Sequence, residues 1–413
     1  MATVRAFKAI RPAKKYAPAV ASLPYDVMNR QEAAALAEDN PNSFLRISRA
    51  EINLPEIDAY SDEVYEKANS ELNRFLDEGI LFQDSKPMFY VYRQIMNGRP
   101  QTGIVACVSV DEYNDNTIKK HEYTRMEKEI DRINHFKFCR ANTEPIFLTY
   151  RADEEIDRIV EEVIASDAPE YDFLTSDGIS NILWKIENDS LIAKLGELFD
   201  GVENLYIADG HHRSASAAKV GEYFRNGGNH SGEEEFNFFM AVIIPSRDLR
   251  VFDYNRVVKD LNGLSVDDFI ARIKEAGFDV NECESGKFAF SEKHVFGMFL
   301  DEKWYELKAK SEIVPEDLID SLDVSVLQNN LLSPILGIAD PRTDKRIDFV
   351  GGIRGFEGLE KRVYEDMAVA FAVPPVEMND LLAVADAGEV MPPKSTWFEP
   401  KLASGLFVHS LKD

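Results

Sequence analysis

The stretch that most constrains this chain runs from Leu205 to Lys219, Leu-Tyr-Ile-Ala-Asp-Gly-His-His-Arg-Ser-Ala-Ser-Ala-Ala-Lys. Leu205 to Ala208 is a short apolar run with the character of a buried strand, and Asp209-Gly210 interrupts it. Ser214 to Phe224, rich in alanine with lysine and glutamate, favours helix. Strand, tight turn and helix in that order gather backbone N–H groups and the positive end of a helix dipole at one point. Gly210 lacks a Cβ and lets the backbone approach a ligand closely. His211, His212 and Arg213 add donors and charge. Such a turn is suited to phosphate. An ordinary helix start with two surface histidines and a solvated arginine reads the same way, so the rest of the chain has to discriminate.

At 413 residues the chain exceeds one ordinary core, and roughly two or three compact parts are expected. Its net charge of −26 argues against a nucleic-acid partner, because affinity for a phosphate backbone needs a basic surface. Cys107, Cys139 and Cys283 are few and widely spaced, which predicts neither a disulfide framework nor a zinc ribbon and fits a reducing cytoplasm. The first residues carry no long apolar segment, and no run approaches the ~18 apolar residues of a membrane span. A cytoplasmic protein with no membrane partner is expected.

Along the chain, Gln31 to Glu38 predicts a helix capped near Asn29, and Phe44 to Ile47 reads as a strand. Asp26, Arg46, Arg49 and Glu51 read as ordinary surface polarity. Tyr60 to Glu78 is a helix with an apolar stripe, and Asn97-Gly98 between two apolar runs is a hairpin signal. Lys119 to Arg132 reads as helix, with His121, Arg125, Lys128 and Arg132 forming a basic stripe on one face, solvated or functional. Asp153 caps a helix, Gly227 to Gly232 is a loop, and Phe236 to Ile244 is a strand. Residues 260–312 read as a small α+β insert with a capping box at Ser265 and Asp268. Near the C-terminus, Glu389 to Lys401 holds three prolines in a stiff loop. That loop presents Lys394, Ser395 and Thr396, a cation beside two hydroxyls. Trp397 and Phe398 would plug a core.

Three motifs therefore stand in order: His121-Glu122, Asp209-Gly-His-His-Arg213 and Pro393-Lys-Ser-Thr396. Together they resemble the free-serine kinases, whose fold is related to ParB and sulfiredoxin; Ser395 stands where those kinases carry threonine. Over nearly its whole length the chain also resembles a bacterial family catalogued as a domain of unknown function. Its marks here are Pro24-Tyr-Asp-Val27, His121-Glu-x-Thr124, Ile207-Ala-Asp-Gly-His-His-Arg213 and Met391-Pro-Pro-Lys-Ser-Thr-Trp397.

The resemblance implies an α+β fold of mixed sheets with flanking helices around a ParB/sulfiredoxin-like phosphate-binding core. The expected parts are an N-terminal α/β region (1–118), the nucleotide-phosphate core (119–259), the insert (260–312) and a C-terminal region completing the active site (313–413). It implies a kinase using ATP or ADP with Mg²⁺ and phosphorylating a small hydroxyl substrate, free L-serine above all. Glu122 would be the general base, supported by His121. Gly210, His211, His212, Arg213 and Ser214 would hold the phosphates, and Asp209 would ligate Mg²⁺ or orient the acceptor. Lys394, Ser395, Thr396, Thr124 and Arg132 would contact substrate. A ParB-type nucleotide-binding regulator and a nucleotide hydrolase are the alternatives.

Overall fold

The strand and helix expected around residue 209 are both present, and the helix begins earlier than its alanines indicate. In the computed structural model, which describes residues 1–228, 230–284 and 286–412, Leu205–Asp209 is a strand and His211–Arg225 a helix. Gly210 between them is left-handed, at φ 95°, a conformation that costs glycine nothing and lets the chain reverse within one residue. Asn229, within the loop expected at 227–232, lies outside the described residues.

The chain divides into two units, Met1–Leu249 with Pro400–Asp413, and Arg250–Glu399. The first is built on a nine-stranded mixed sheet. Leu205–Asp209 lies between Ile118–Lys119, to which it is parallel, and Ile146–Tyr150, to which it is antiparallel. Phe238–Pro245 follows, then Arg99–Ser109, Phe89–Met96, Ser180–Ile186 and Tyr171–Leu174. Val4–Arg5 pairs with Arg99–Ser109. Residues 101–108 and 238–245 are buried throughout, as strands covered on both faces must be, so they read as continuous apolar runs without alternation. The covering helices include Glu154–Ser166, whose first amides bond the Asp153 carboxylate, and Met126–Cys139. Helix His211–Arg225 packs closely at Gly221, where a Cβ would stand 2.8 Å from the Phe236 carbonyl oxygen. The pairing of Leu205–Asp209 with its neighbour slips between Ile207 and Asp209, a bulge that re-aims the strand end just before the turn.

Three local readings change. Phe44–Ile47 is not a strand: Leu45–Ser48 is a helical turn. Phe44 and Ile47, both fully buried, are spaced one helical turn apart, and a four-residue apolar run does not separate the two alternatives. Arg46, Arg49 and Glu51 are not surface polarity either. Arg46 donates to the Ala37 and Asn40 carbonyls at 2.7 and 3.1 Å, and Arg49 donates to Tyr25 O at 2.8 Å while pairing with buried Glu51 at 2.6 Å. The helix expected from Lys119 begins only at Met126. His121 therefore lies in an extended approach and Arg125 at the cap, so no basic stripe forms.

The second unit carries an antiparallel six-stranded sheet in the order Phe278–Glu282, Lys303–Ala309, Val295–Leu300, Val369–Ala372, Tyr254–Val258, Ile347–Gly351. The Ser265 cap is formed as expected, and Val295–Leu300 and Lys303–Ala309 form a hairpin about Asp301-Glu302. The strands of 260–312 thus share one sheet with strands from both sides of that segment. The chain is an α+β protein with one large mixed sheet, a second antiparallel sheet and flanking helices. Among the described residues, no helix is long and apolar enough to cross a membrane.

Candidate functional site

The Asp209–Ser214 turn is held from within. The Gly210 N–H bonds Asp209 Oδ1 at 2.9 Å, and Ser214 returns both its N–H and its hydroxyl to Gly210 O, at 2.9 and 3.1 Å. The amides of His211, His212 and Arg213 are those that a helix start leaves without helical acceptors. Arg213 is 3% exposed; it donates to Pro145 O at 2.5 Å and reaches Asp209 Oδ2 at 3.9 Å. Its Nε is buried without a partner among the described residues, and a Cβ on Gly210 would lie 3.0 Å from that nitrogen. A glycine thus keeps open the space beside an unpaired buried donor, which fits a phosphate oxygen. Burial disfavours the Arg213 charge, and Asp26, Asp209 and Glu144 more than offset this.

Asp209 faces Lys401, whose Nζ lies 3.2 Å from Oδ2. Burial raises the Asp209 carboxyl, but Lys401 first and Arg213 next hold it down at about 2, so the group is ionised. The two histidine motifs meet here. The His121 and His211 rings cross edge to face at 4.5 Å, and both are buried. The His121 backbone N–H donates to His211 Nε2 at 3.4 Å, which places the His211 proton on Nδ1. That nitrogen lies 3.7 Å from Oε2 of Glu122. Burial pushes His121 down to about 4 and His211 well below its ordinary value, so both are neutral at pH 7. Both ring nitrogens of His121 are buried without a hydrogen-bond partner among the described residues. The Glu122 side chain, in contrast, is 57% exposed. His212 faces another way, accepting from the Arg125 N–H at 3.0 Å, so the adjacent histidines do not share a ligand.

Around this turn lies a buried charged layer. Glu144 is 1% exposed and accepts from the Tyr25 N–H at 3.2 Å and the Ser404 hydroxyl at 2.7 Å. Burial raises its carboxyl, against the pull of Arg213 and Arg132. Arg132 bonds Asp131 at 2.9 Å and stacks over Tyr25, 4.0 Å from the ring centre. It is 4% exposed, so Arg132 holds the Tyr25 turn and does not present its charge to solvent. Thr124 is similarly engaged, donating to Glu129, which also takes Lys219. The first unit thus brings together Glu122, His121, Asp209, Gly210, His211, Arg213 and Ser214.

Lys394, Ser395 and Thr396 belong to the second unit. Ser395 is 5% exposed and its hydroxyl bonds Pro392 O at 2.5 Å, closing the proline loop. Lys394 is exposed with φ 60°; Arg256 donates to its carbonyl at 3.1 Å. Trp397 packs on Tyr254, as a core plug should.

Reading by motif missed Lys401 and Glu144. Lys401 directly follows the third proline of its loop, and Glu144 precedes Pro145. Neither carries a local signal of burial or pairing. Among the described residues no three His, Cys, Asp or Glu side chains could hold a metal ion.

The chain belongs to the family described as Protein of unknown function (DUF1015), which it matches over residues 4–325. Among solved structures it is similar to a mutant free serine kinase in complex with AMP, at 14% identity and TM-score 0.37, over 73% of this chain and 92% of that one. A conserved hypothetical protein from Pyrococcus furiosus gives 16% identity and TM-score 0.36, over 73% and 95%. SbnI from Staphylococcus aureus, with a C-terminal truncation, gives 11% and 0.38, over 73% and 85%. No curated protein matches.

Proposed function

We propose that this protein is a nucleotide-dependent kinase that phosphorylates the hydroxyl of a small metabolite, free L-serine being the acceptor its motifs favour. The observation that carries this reading is the exposed carboxylate of Glu122, held beside His211 at a helix N-terminus whose glycine keeps open the space next to an unpaired arginine nitrogen. A pure binding turn has no need of that carboxylate.

In this reading the His211, His212 and Arg213 amides and the helix dipole hold the donor phosphates. Arg213 Nε adds a charged donor. Mg²⁺, bound through Asp209 and the phosphates, would neutralise charge on the transferring group. Glu122 accepts the acceptor's hydroxyl proton as its oxygen bonds phosphorus and the bond to the leaving nucleotide breaks. With ATP and serine the products are ADP, O-phosphoserine and the proton on Glu122. His211 Nδ1–H faces that carboxylate at 3.7 Å and would close on it as substrate binds. His121 fills the space behind His211 and keeps it dry and neutral. Asp209 stays ionised and is unsuited to serve as an acid. For Lys394 and Thr396, the motif itself supports a substrate-binding role, which Lys394→Ala tests through the KM for serine.

The experiment is phosphorus NMR of the protein with Mg-ATP or Mg-ADP, with and without L-serine. A phosphomonoester resonance that needs serine is expected. Inorganic phosphate formed equally without serine would point to a hydrolase.

A further inference from the structure

We propose that the nucleoside of the phosphoryl donor sits in a cavity of about 290 Å³ in the first unit, which Lys401 joins to the phosphate turn. The inference deepens the kinase reading and rests on it. Lys401 lines the cavity, and its Nζ lies 3.2 Å from Asp209 Oδ2. One side chain therefore connects the cavity to the place where the phosphates are held.

The lining has two characters. Leu23, Leu36 and Leu174 are 37%, 54% and 66% exposed, and all three border this one cavity. Single exposed leucines need no explanation, but three around one opening form an apolar rim awaiting a flat apolar face. The inner wall is neutral and polar. Gln94 and Asn181, each 2% exposed, line it together with Ser43. Their amides are fixed: Tyr92 donates to Asn181 Oδ1 at 2.5 Å, Gln94 Nε2 donates to Lys401 O at 2.9 Å, and Gln101 donates to Gln94 Oε1 at 3.0 Å.

This combination suits a base and sugar better than an amino acid. A zwitterion needs opposite charges at both ends. Both charged groups of the lining are engaged, Lys401 with Asp209 and Asp177 with the Thr175 hydroxyl and the Ile179 N–H, whereas a neutral polar wall behind an apolar rim suits a nucleoside. The volume is near the low end of the roughly 300–1,000 Å³ of ligand sites, too small for a dinucleotide. Segments 18–45 and 174–181 build most of the walls, which gives the N-terminal region a share in donor recognition.

The test is calorimetry on wild type and the double variant Leu36→Ser/Leu174→Ser, titrated with Mg-ADP, inorganic pyrophosphate and L-serine. Both leucines are exposed, so the melting temperature should hold. Affinity for ADP should fall about tenfold or more, since two apolar contacts are lost, while pyrophosphate, which uses only the turn, binds as before. Unchanged ADP affinity in the variant overturns the assignment and leaves the phosphate turn standing. So does an equal loss for pyrophosphate, or a loss confined to serine, which would make the cavity the acceptor's. If wild type binds neither ADP nor pyrophosphate, the kinase reading fails, and this one with it.

Discussion

Lys401 and Asp209, 192 positions apart in sequence, meet at 3.2 Å, and of the charges that hold the Asp209 carboxyl below its ordinary value Lys401 comes first. Replacing Lys401 by methionine removes the cation and keeps the stem. The Asp209 carboxyl should then rise from about 2 toward its ordinary value, as burial acts against a weaker opposing charge. The titration of the Asp209 carboxyl, followed by carbon NMR, should move to higher pH in the variant. An unmoved titration would contradict Lys401 as the group that holds it down.

Arg213→Ala should weaken nucleotide binding and also destabilise the fold. The guanidinium is buried, bonds Pro145 O and lowers the carboxyl of buried Glu144. Leaving those acceptors unmatched costs on the order of 1–3 kcal/mol. Denaturant melts measure the second effect and calorimetry on the folded protein the first. Full ADP affinity in a folded variant would remove Arg213 from the site.

The site's stability should depend on acid. Burial pushes His121 to about 4, while an unfolded histidine takes its proton near 6.5. Between those values the unfolded chain binds more protons, so this contribution is complete above about pH 6.5 and is lost as the pH falls toward 4. At ~1.4 kcal/mol per pH unit the full loss from His121 is about 3 kcal/mol. The comparison is unfolding free energy from pH 7.5 to 4.5 for wild type and His121→Phe. A shallower slope is expected in the variant, and parallel slopes would contradict a neutral buried His121.

How much of this was legible in the sequence follows from where each signal resides. The strand, turn and helix around Asp209 were readable because their parts are adjacent: an apolar strand, Asp-Gly, then alanine-rich helix. The hairpin at Asn97-Gly98 and the caps at Asn29, Asp153 and Ser265 were readable for the same reason, since each is satisfied within a few residues. The late start of the helix at Met126 was not. That approach is held by partners distant in sequence, His211 against His121 and His212 on the Arg125 N–H. Arg132 read as part of a stripe, solvated or functional, because sequence spacing does not show that Tyr25, Asp131 and Glu144 surround it. Lys401 and Glu144 acquire their roles wholly from tertiary contacts.

The central claim is that Glu122 takes the acceptor's proton, and Glu122→Gln tests it most directly. The amide keeps the shape of the carboxylate and a hydrogen-bonding oxygen for His211 Nδ1, but cannot accept a proton at neutral pH. Single-turnover phosphorylation of L-serine should slow by about 10²–10⁴-fold, the usual contribution of a positioned base, with nucleotide affinity and melting temperature nearly unchanged. A variant that phosphorylates serine at the wild-type rate, or one that loses activity only in proportion to lost folded protein, would contradict it.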